Sequence, residues 1–231
     1  MAIVVGVDIG GTFTDLVLQN EASGEIRVAK VASTPHDQAQ GLLNGLHALR
    51  VTLGEIGLIV HGTTVATNAV LERKGAVCGL IMTEGFRDVL EIARQTRPDL
   101  YDYSVTRPDP LARRAHRIEV TERVDSTGAV LQPLSVSETG AAAARLKAAG
   151  VKAVAICFLH AYRSPAHERQ AREIVEQIFP EALISLSSDV LPEFREYERT
   201  STTAVNAYVA PRMSAYLNSF VERVGRLGVK P

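Results

Sequence analysis

The residues most able to do chemistry stand at the start of the chain, in Ile3-Val4-Val5-Gly6-Val7-Asp8-Ile9-Gly10-Gly11-Thr12-Phe13-Thr14-Asp15. An apolar run ends in a carboxylate, two glycines and two hydroxyls, and a second apolar run, Leu16-Val17-Leu18, follows at once. Glycines in a tight turn accept positive φ and let a ligand approach the backbone. Successive N–H groups in such a turn form a concave nest for anions. Thr12 and Thr14 add hydroxyl donors, and Asp8 supplies the hard oxygen that a hydrated Mg²⁺ takes. The set suits a metal–polyphosphate ligand, with Asp8 at the metal and Gly10, Gly11, Thr12 and Thr14 around the phosphates. Asp15 either joins them or bonds the backbone of its own turn. The competing reading is a hairpin turn with no ligand, which needs neither two hydroxyls nor two carboxylates. The chain has no G-x-x-x-x-G-K-[ST] and no G-x-G-x-x-G opening a helix after the first strand, so neither a P-loop nor a dinucleotide-binding site is expected.

Two further clusters carry polar groups. His61-Gly62-Thr63-Thr64-Val65-Ala66-Thr67-Asn68 falls where a strand gives way to a helix, the end at which open α/β sheets bind ligands. His61, Thr63, Thr64 and Asn68 are expected to face a cleft; the alternatives are a core histidine and ordinary helix caps. Leu191-Pro192-Glu193-Phe194-Arg195-Glu196-Tyr197-Glu198-Arg199-Thr200 places Arg195 and Arg199 on one helix face. This is either a solvated surface of i,i+4 pairs or a helix lining a cleft where Arg195 or Arg199 meets an anionic substrate. Arg94, Arg97 and Tyr101 are weaker candidates of the same kind.

Strands are expected at 3–9, 13–20 and 25–32, joined by short turns and therefore antiparallel. A helix over 36–50 carries Leu42, Leu43, Leu46 and Leu49 on one face. Strand 56–60, a helix from Thr63 or Thr64 ended by Gly75, and strand 77–82 complete a β-β-β-α-β-α-β order. A short helix over 86–93 and a strand over 117–124 stand in a segment, 85–135, read as an insertion. Alternation then resumes: a capping box Ser135-x-x-Glu138 opens a helix, strand 151–158 follows, Ser164-Pro165 starts another helix, and strand 182–186 comes last. A helical stretch, 193–227, should break at Pro211. Its stripe Met213, Tyr216, Leu217, Phe220, Val224 and Leu227 would be an exposed apolar face suited to homo-oligomer contacts. The segments are thus 1–84, 85–135, 136–192 and 193–231, in an α/β architecture.

At 231 residues, with 46% hydrophobic and 22% charged residues and a net charge of −1, the chain has the composition of a soluble globular protein. Nothing in it points to nucleic acid or to a charged membrane, and no apolar stretch reaches the ~20 residues of a membrane span. Cys78 and Cys157, each inside an apolar run, are expected as buried reduced thiols, which favours a cytoplasmic location.

Together the stretches Asp8–Asp15, His61–Ala69, Gly85-Phe86-Arg87-Asp88 with Arg94, and Leu191–Thr200 with Asn206-Ala207-Tyr208 and Pro211 resemble the N-terminal part of the hydantoinase A / 5-oxoprolinase family, which includes the ATP-binding subunits of acetone and acetophenone carboxylases. The resemblance spans nearly the whole chain. It implies the first lobe of an actin/sugar-kinase/Hsp70-like (ribonuclease H-like) fold, with a mixed sheet beginning in antiparallel strands and helices on both faces. It implies ATP with Mg²⁺, an ATP-driven activation of the carbonyl of a hydantoin- or 5-oxoproline-like ring, and a hydantoinase B-type partner subunit or domain. In that frame Asp8 and His61 are the catalytic candidates. Asp8, Gly10, Gly11, Thr12, Thr14 and Asp15 bind the nucleotide, and Thr63, Thr64, Asn68, Arg94, Arg195 and Arg199 meet the substrate. The alternatives are a ketone-carboxylase subunit, which uses ATP on a ketone, and a non-catalytic module. Family chains are longer, and the second ATP-binding lobe would follow Pro231. Residues 1–231 alone are therefore expected to be inactive and to bind ATP weakly or not at all, and a micromolar affinity measured by calorimetry would refute this.

Overall fold

The computed structural model describes residues 3–34, 38–96, 98–102 and 104–226. The chain divides into two compact units, residues 1–74 with 212–231 (unit 1) and residues 75–211 (unit 2).

Unit 1 is built on a hairpin meander. Strands β1 (Ile3–Ile9), β2 (Phe13–Asn20) and β3 (Ile26–Ala32) are antiparallel; after helix α1 (Gln38–Ala48), β4 (Ile56–Thr63) pairs parallel to β1, and α2 (Val65–Leu71) follows. The sheet order is β3-β2-β1-β4. Side chains alternate across a strand, and Val5, Val7, Ile9, Leu16 and Leu18 all point to one buried face. Leu42 and Leu46 of α1, and Leu49 just after it, pack on it. Contact is close because α1 carries Gly45 over Leu16, where a Cβ would sit 2.0 Å from the leucine. Met213, Tyr216, Phe220 and Val224 close the same core. The apolar stripe expected as an oligomer surface is thus largely internal to unit 1, with Leu217 left 44% exposed; Leu227 lies outside the described residues. The opposite sheet face is open at Val17, Val28, Leu58 and Val60.

Unit 2 holds a second, parallel sheet, with β5 (Cys78–Thr83), β6 (Arg117–Val120), β9 (Ala153–Cys157) and β10 (Leu183–Leu186) in the order β10-β9-β5-β6. Between them come α3 (Val89–Ile92), the hairpin β7 (Arg123–Val124)–β8 (Val130–Gln132), α4 (Val136–Ala148), α5 (Ala166–Ile178) and α6 (Ser187–Val190). Every residue of β5 and β9 is buried, as the unbroken apolar runs of a covered parallel sheet require. Leu146 of α4 and Ala171 and Val175 of α5 join the main core there. The 85–135 segment contributes β6 to this sheet.

The helix ends differ in detail from expectation. Ser135 caps α4 by accepting from the Glu138 N–H at 3.4 Å, but the Glu138 carboxylate accepts from the Thr121 N–H at 2.7 Å instead of returning to Ser135. Pro165, not Ser164, stands at the α5 cap. Three buried polar side chains of unit 2, Thr83, Glu122 and Glu168, are satisfied internally. The Thr83 hydroxyl donates to Glu122 and accepts from the Leu159 N–H at 2.8 Å, and Glu122 also meets His167 Nδ1 at 2.8 Å. Glu168 accepts from the Phe158 N–H, Ser187 Oγ and the Ser188 N–H at 2.9, 2.5 and 2.8 Å. Burial nonetheless raises its pKa above the ordinary carboxyl value.

The last helix, α7 (Glu196–Arg226), runs on through Pro211. The expected break is absent, the helix being packed on both sides of the proline, through Ala204, Ala207 and Tyr208 before it and Met213, Tyr216 and Phe220 after it; Pro211 is the last residue of unit 2. Gly75 has a different role from the expected helix stop, since α2 already ends at Leu71. The Ala76 N–H donates to the Tyr208 carbonyl at 2.9 Å, and a Cβ on residue 75 would fall 2.1 Å from the Tyr208 ring. Gly75→Ala is therefore expected to destabilise unit 2 by about 1–3 kcal/mol, the usual cost of overpacking, read as a lower urea midpoint at unchanged slope.

Candidate functional sites

In unit 1 the glycine turn and the β4–α2 junction lie at the same end of the sheet. Asp8 is paired directly opposite Asp15 on β2 and beside Gly62 on β4. Both carboxylates are exposed and share a face. Facing like charges across a strand pair are destabilising. Lys30 offsets one of them, reaching Asp15 at 3.1 Å and standing 4.9 Å from the Phe13 ring centroid; Asp8 has no ion pair among the described residues. A Cβ on Gly62 would lie 3.5 Å from Asp8 Oδ1, and one on Gly11 would lie 3.5 Å from Asn68 Nδ2. Asp8, Gly11, Gly62 and Asn68 are thus brought together around exposed backbone.

The turn is fixed from behind. The Gly10 N–H donates to the Phe13 carbonyl at 3.0 Å, and Ser33 Oγ donates to the Gly10 carbonyl at 2.8 Å. Thr14, expected among the phosphate donors, is fully buried with its hydroxyl on Ser33 Oγ at 3.0 Å. It shapes the turn, while Thr12 is exposed. Thr63 Oγ1 accepts from the Val65 N–H at 3.2 Å, and Asn68 donates to the exposed Thr64 hydroxyl at 3.2 Å. His61 is packed: it stacks on Phe220 at 4.5 Å between centroids and hydrogen-bonds the Tyr216 hydroxyl. Burial lowers its pKa, and burial pushes the Tyr216 hydroxyl up to about 12. A neutral imidazole therefore holds this end of β4 on the helix. Its stabilising effect is present above the pKa of an exposed histidine and is lost as pH falls through the lowered folded value.

In unit 2 an open pocket of about 450 Å³ lies beside α3 and the start of α7, with Phe86, Ile92, Tyr162, Phe194, Arg195 and Glu196 among its walls. Arg94 also lines it, locked by a bidentate pair to Glu198 at 2.7 Å for each bond. That pair raises the arginine pKa and lowers that of Glu198. Arg195 is exposed, 5.4 Å from the Phe194 ring, and in no ion pair among the described residues. Arg199 does not share its setting: it is 2% exposed, donates to the Phe158 carbonyl at 2.8 Å, and lies 5.5 Å from the Tyr162 ring. Its Nε and Nη1 have no hydrogen-bond partner among the described residues. The sequence pattern found Arg94 and Arg195 but not Tyr162, which no motif marks. Phe194 and Glu196 lie in the quoted cluster yet show their role only once the pocket is formed. Tyr101 is 91% exposed; Arg97 lies outside the described residues.

The described residues contain no cluster of three or more His, Cys, Asp or Glu side chains able to hold a metal by themselves. Among them no helix is long and apolar enough to cross a membrane.

Residues 4–179 match the model of the hydantoinase/oxoprolinase N-terminal region. The chain belongs to that family. Among curated family relatives, the alpha subunit of caprolactamase from Pseudomonas jessenii is 37% identical over 96% of this chain and 33% of its own length. The gamma subunit of acetophenone carboxylase from Aromatoleum aromaticum is 34% identical over 90% of this chain and 31% of its own. A nucleotide-free acetone carboxylase structure superposes with a TM-score of 0.89 at 30% identity, covering 99% of this chain and 35% of that one. The ATP-dependent caprolactamase of Pseudomonas jessenii gives 0.86 at 36%, covering 99% and 34%. The chain spans about a third of the length of these relatives.

The facing carboxylates give unit 1 a measurable signature. Asp8→Asn removes the repulsion with Asp15 and is expected to raise stability by about 0.2–1 kcal/mol, seen as a higher melting temperature. A fall of more than that would mean Asp8 is held by structural bonds instead.

Proposed function

We propose that this chain forms the N-terminal part of an ATP-dependent enzyme that activates the carbonyl of a small cyclic amide of the hydantoin or 5-oxoproline type. The observation carrying this reading is the unpaired Asp8 carboxylate beside the Gly10-Gly11-Thr12 turn. A protein keeps two carboxylates face to face at a stability cost where a function needs them. Asp8, joined by Asp15, offers hard oxygens for Mg²⁺, which would spread the charge developing on the transferred phosphoryl group. Gly11 and Thr12 present N–H and hydroxyl donors to phosphate oxygens, Gly10 closes the turn through its own N–H bond to the Phe13 carbonyl, Asn68 stands at their rim, and Thr14 and Ser33 hold the turn from behind. Such fixed donors contribute by positioning and charge stabilisation. The relatives called caprolactamase and 5-oxoprolinase support the amide substrate.

A second reading, an ATP-using subunit of a ketone carboxylase, is favoured by the likeness to acetone and acetophenone carboxylases. Relatives named as alpha, beta and gamma subunits support a partner subunit for this protein in either case. The buried thiols of Cys78 and Cys157, pushed up to about 11 and about 12 by burial, suit a reducing compartment such as the cytoplasm.

In the full-length protein Asp8→Ala is expected to lower ATP turnover by about a hundredfold or more, in line with the loss of a preorganised charge contact, while the fold persists by circular dichroism. Normal ADP release from that variant would instead support a non-catalytic module.

A further inference from the structure

Residues in register across neighbouring strands stand side by side on one face of a sheet, so the outward face of unit 1 is built in rows. Lys30, Asp15, Asp8 and Gly62 form one row across β3, β2, β1 and β4. The next row, Val28, Val17, Gly6 and Val60, carries no charge. Beyond it Ile26, Gln19, Val4 and Leu58 carry none either. Among the described residues Lys30 is thus the one cation that the four strands set on this face, and it stands in the row of the two carboxylates.

Its Nζ lies 3.1 Å from Asp15 Oδ1 and 3.3 Å from Oδ2, so both oxygens lean on the ammonium and a metal must compete for them. The contact parts easily: both side chains are more than half exposed, and pairs of that kind are weakly held. Lysine is suited to changing partners, since its compact charge turns its donors on a long flexible stem. The ammonium also lies 4.9 Å from the centre of the Phe13 ring, and Phe13 follows Thr12 and closes the glycine turn with its carbonyl. Charge adds a second constraint. A metal–polyphosphate complex is itself anionic, and two facing carboxylates repel it unless a cation stands with them.

We propose that Lys30 is a phosphate-binding residue that changes partner: a divalent cation joining Asp8 and Asp15 displaces its ammonium, which then donates to a phosphate oxygen of the nucleotide. The assignment rests on the ATP reading above and adds to it the residue that makes metal and nucleotide bind together. Bare metal has to part Lys30 from Asp15 and offers the ammonium nothing in return. The metal–nucleotide complex brings the anion that receives it. The two bindings are therefore coupled through one side chain, by the same factor in both directions.

The test uses the full-length protein, with its partner subunit if one co-purifies, and two binding constants read without turnover. One is for Mn²⁺ alone, by electron paramagnetic resonance; the other is for the non-hydrolysable imido analogue of ATP with Mg²⁺, by calorimetry. Lys30→Met is expected to tighten Mn²⁺ binding about tenfold, because affinity for a hard cation follows the charge of its ligands. The same variant is expected to weaken the analogue about tenfold, the scale of one hydrogen bond to a charged group. An Asp15→Asn background, in which the facing carboxylates no longer repel, serves where Lys30→Met alone does not fold. There Lys30→Met should leave Mn²⁺ binding unchanged and still weaken the analogue. A cross-strand pair with only a structural role would lower the melting temperature and move neither constant. Constants that stay put in Lys30→Met, or shift in the same direction, overturn the role of Lys30 and leave the ATP reading standing where the wild-type protein binds the analogue. A wild-type protein that does not bind the analogue overturns both.

Discussion

Strand β1 is the constraint on which unit 1 depends. It pairs antiparallel with β2 and parallel with β4, so both of its edges are used and its inward residues, Val5, Val7 and Ile9, are sealed. Because the pleat alternates, burying those three turns Asp8 to the opposite face. Because β4 runs parallel, its His61–Thr63 end arrives beside the β1–β2 turn. A register slip of one residue would exchange Asp8 with the core. The apolar pattern of β1 therefore fixes the position of the chemistry without any polar residue having to specify it.

The same strand order explains why the turn can be rigid and exposed together. Thr14 and Ser33 spend their hydroxyls behind the turn, and the Gly10 carbonyl is taken up there. What remains outward is N–H, the Thr12 hydroxyl and carboxylate. Unit 2 handles its polar groups in a comparable way: Glu122 and Glu168 gather the loops at the strand ends. Those carboxylates look like catalytic candidates by burial, yet each is saturated with internal bonds.

Much of this could be read from residue order. The three opening strands, the parallel core strands and the cap at Ser135 follow from period and turn chemistry, which are local. The resemblance to the hydantoinase/oxoprolinase family rested on spaced motifs, and the match over residues 4–179 bears it out. What escaped was non-local. Pro211 carries a breaker's signal, and only packing of the flanking turns overrides it. Thr12 and Thr14 look alike in sequence, but Thr12 stands in the turn before β2 and is exposed, whereas Thr14 lies within the strand on its buried face. Arg195 and Arg199 share a helical spacing, yet the helix begins at Glu196, so Arg195 lies before it in left-handed backbone and Arg199 within it. The stripe from Met213 to Val224 reads as an unpartnered surface until the open side of the unit 1 core is seen.

The close approach of Gly75 to Tyr208 has a historical consequence. The two residues are distant in sequence, but the ring occupies the space that any side chain at 75 would need. Substitutions at the pair are therefore ordered. A lineage can shorten residue 208 first and then gain a side chain at 75, whereas the reverse order passes through a clashing intermediate. Such a pair should drift as a unit, with the ring acting as a ratchet on its distant glycine.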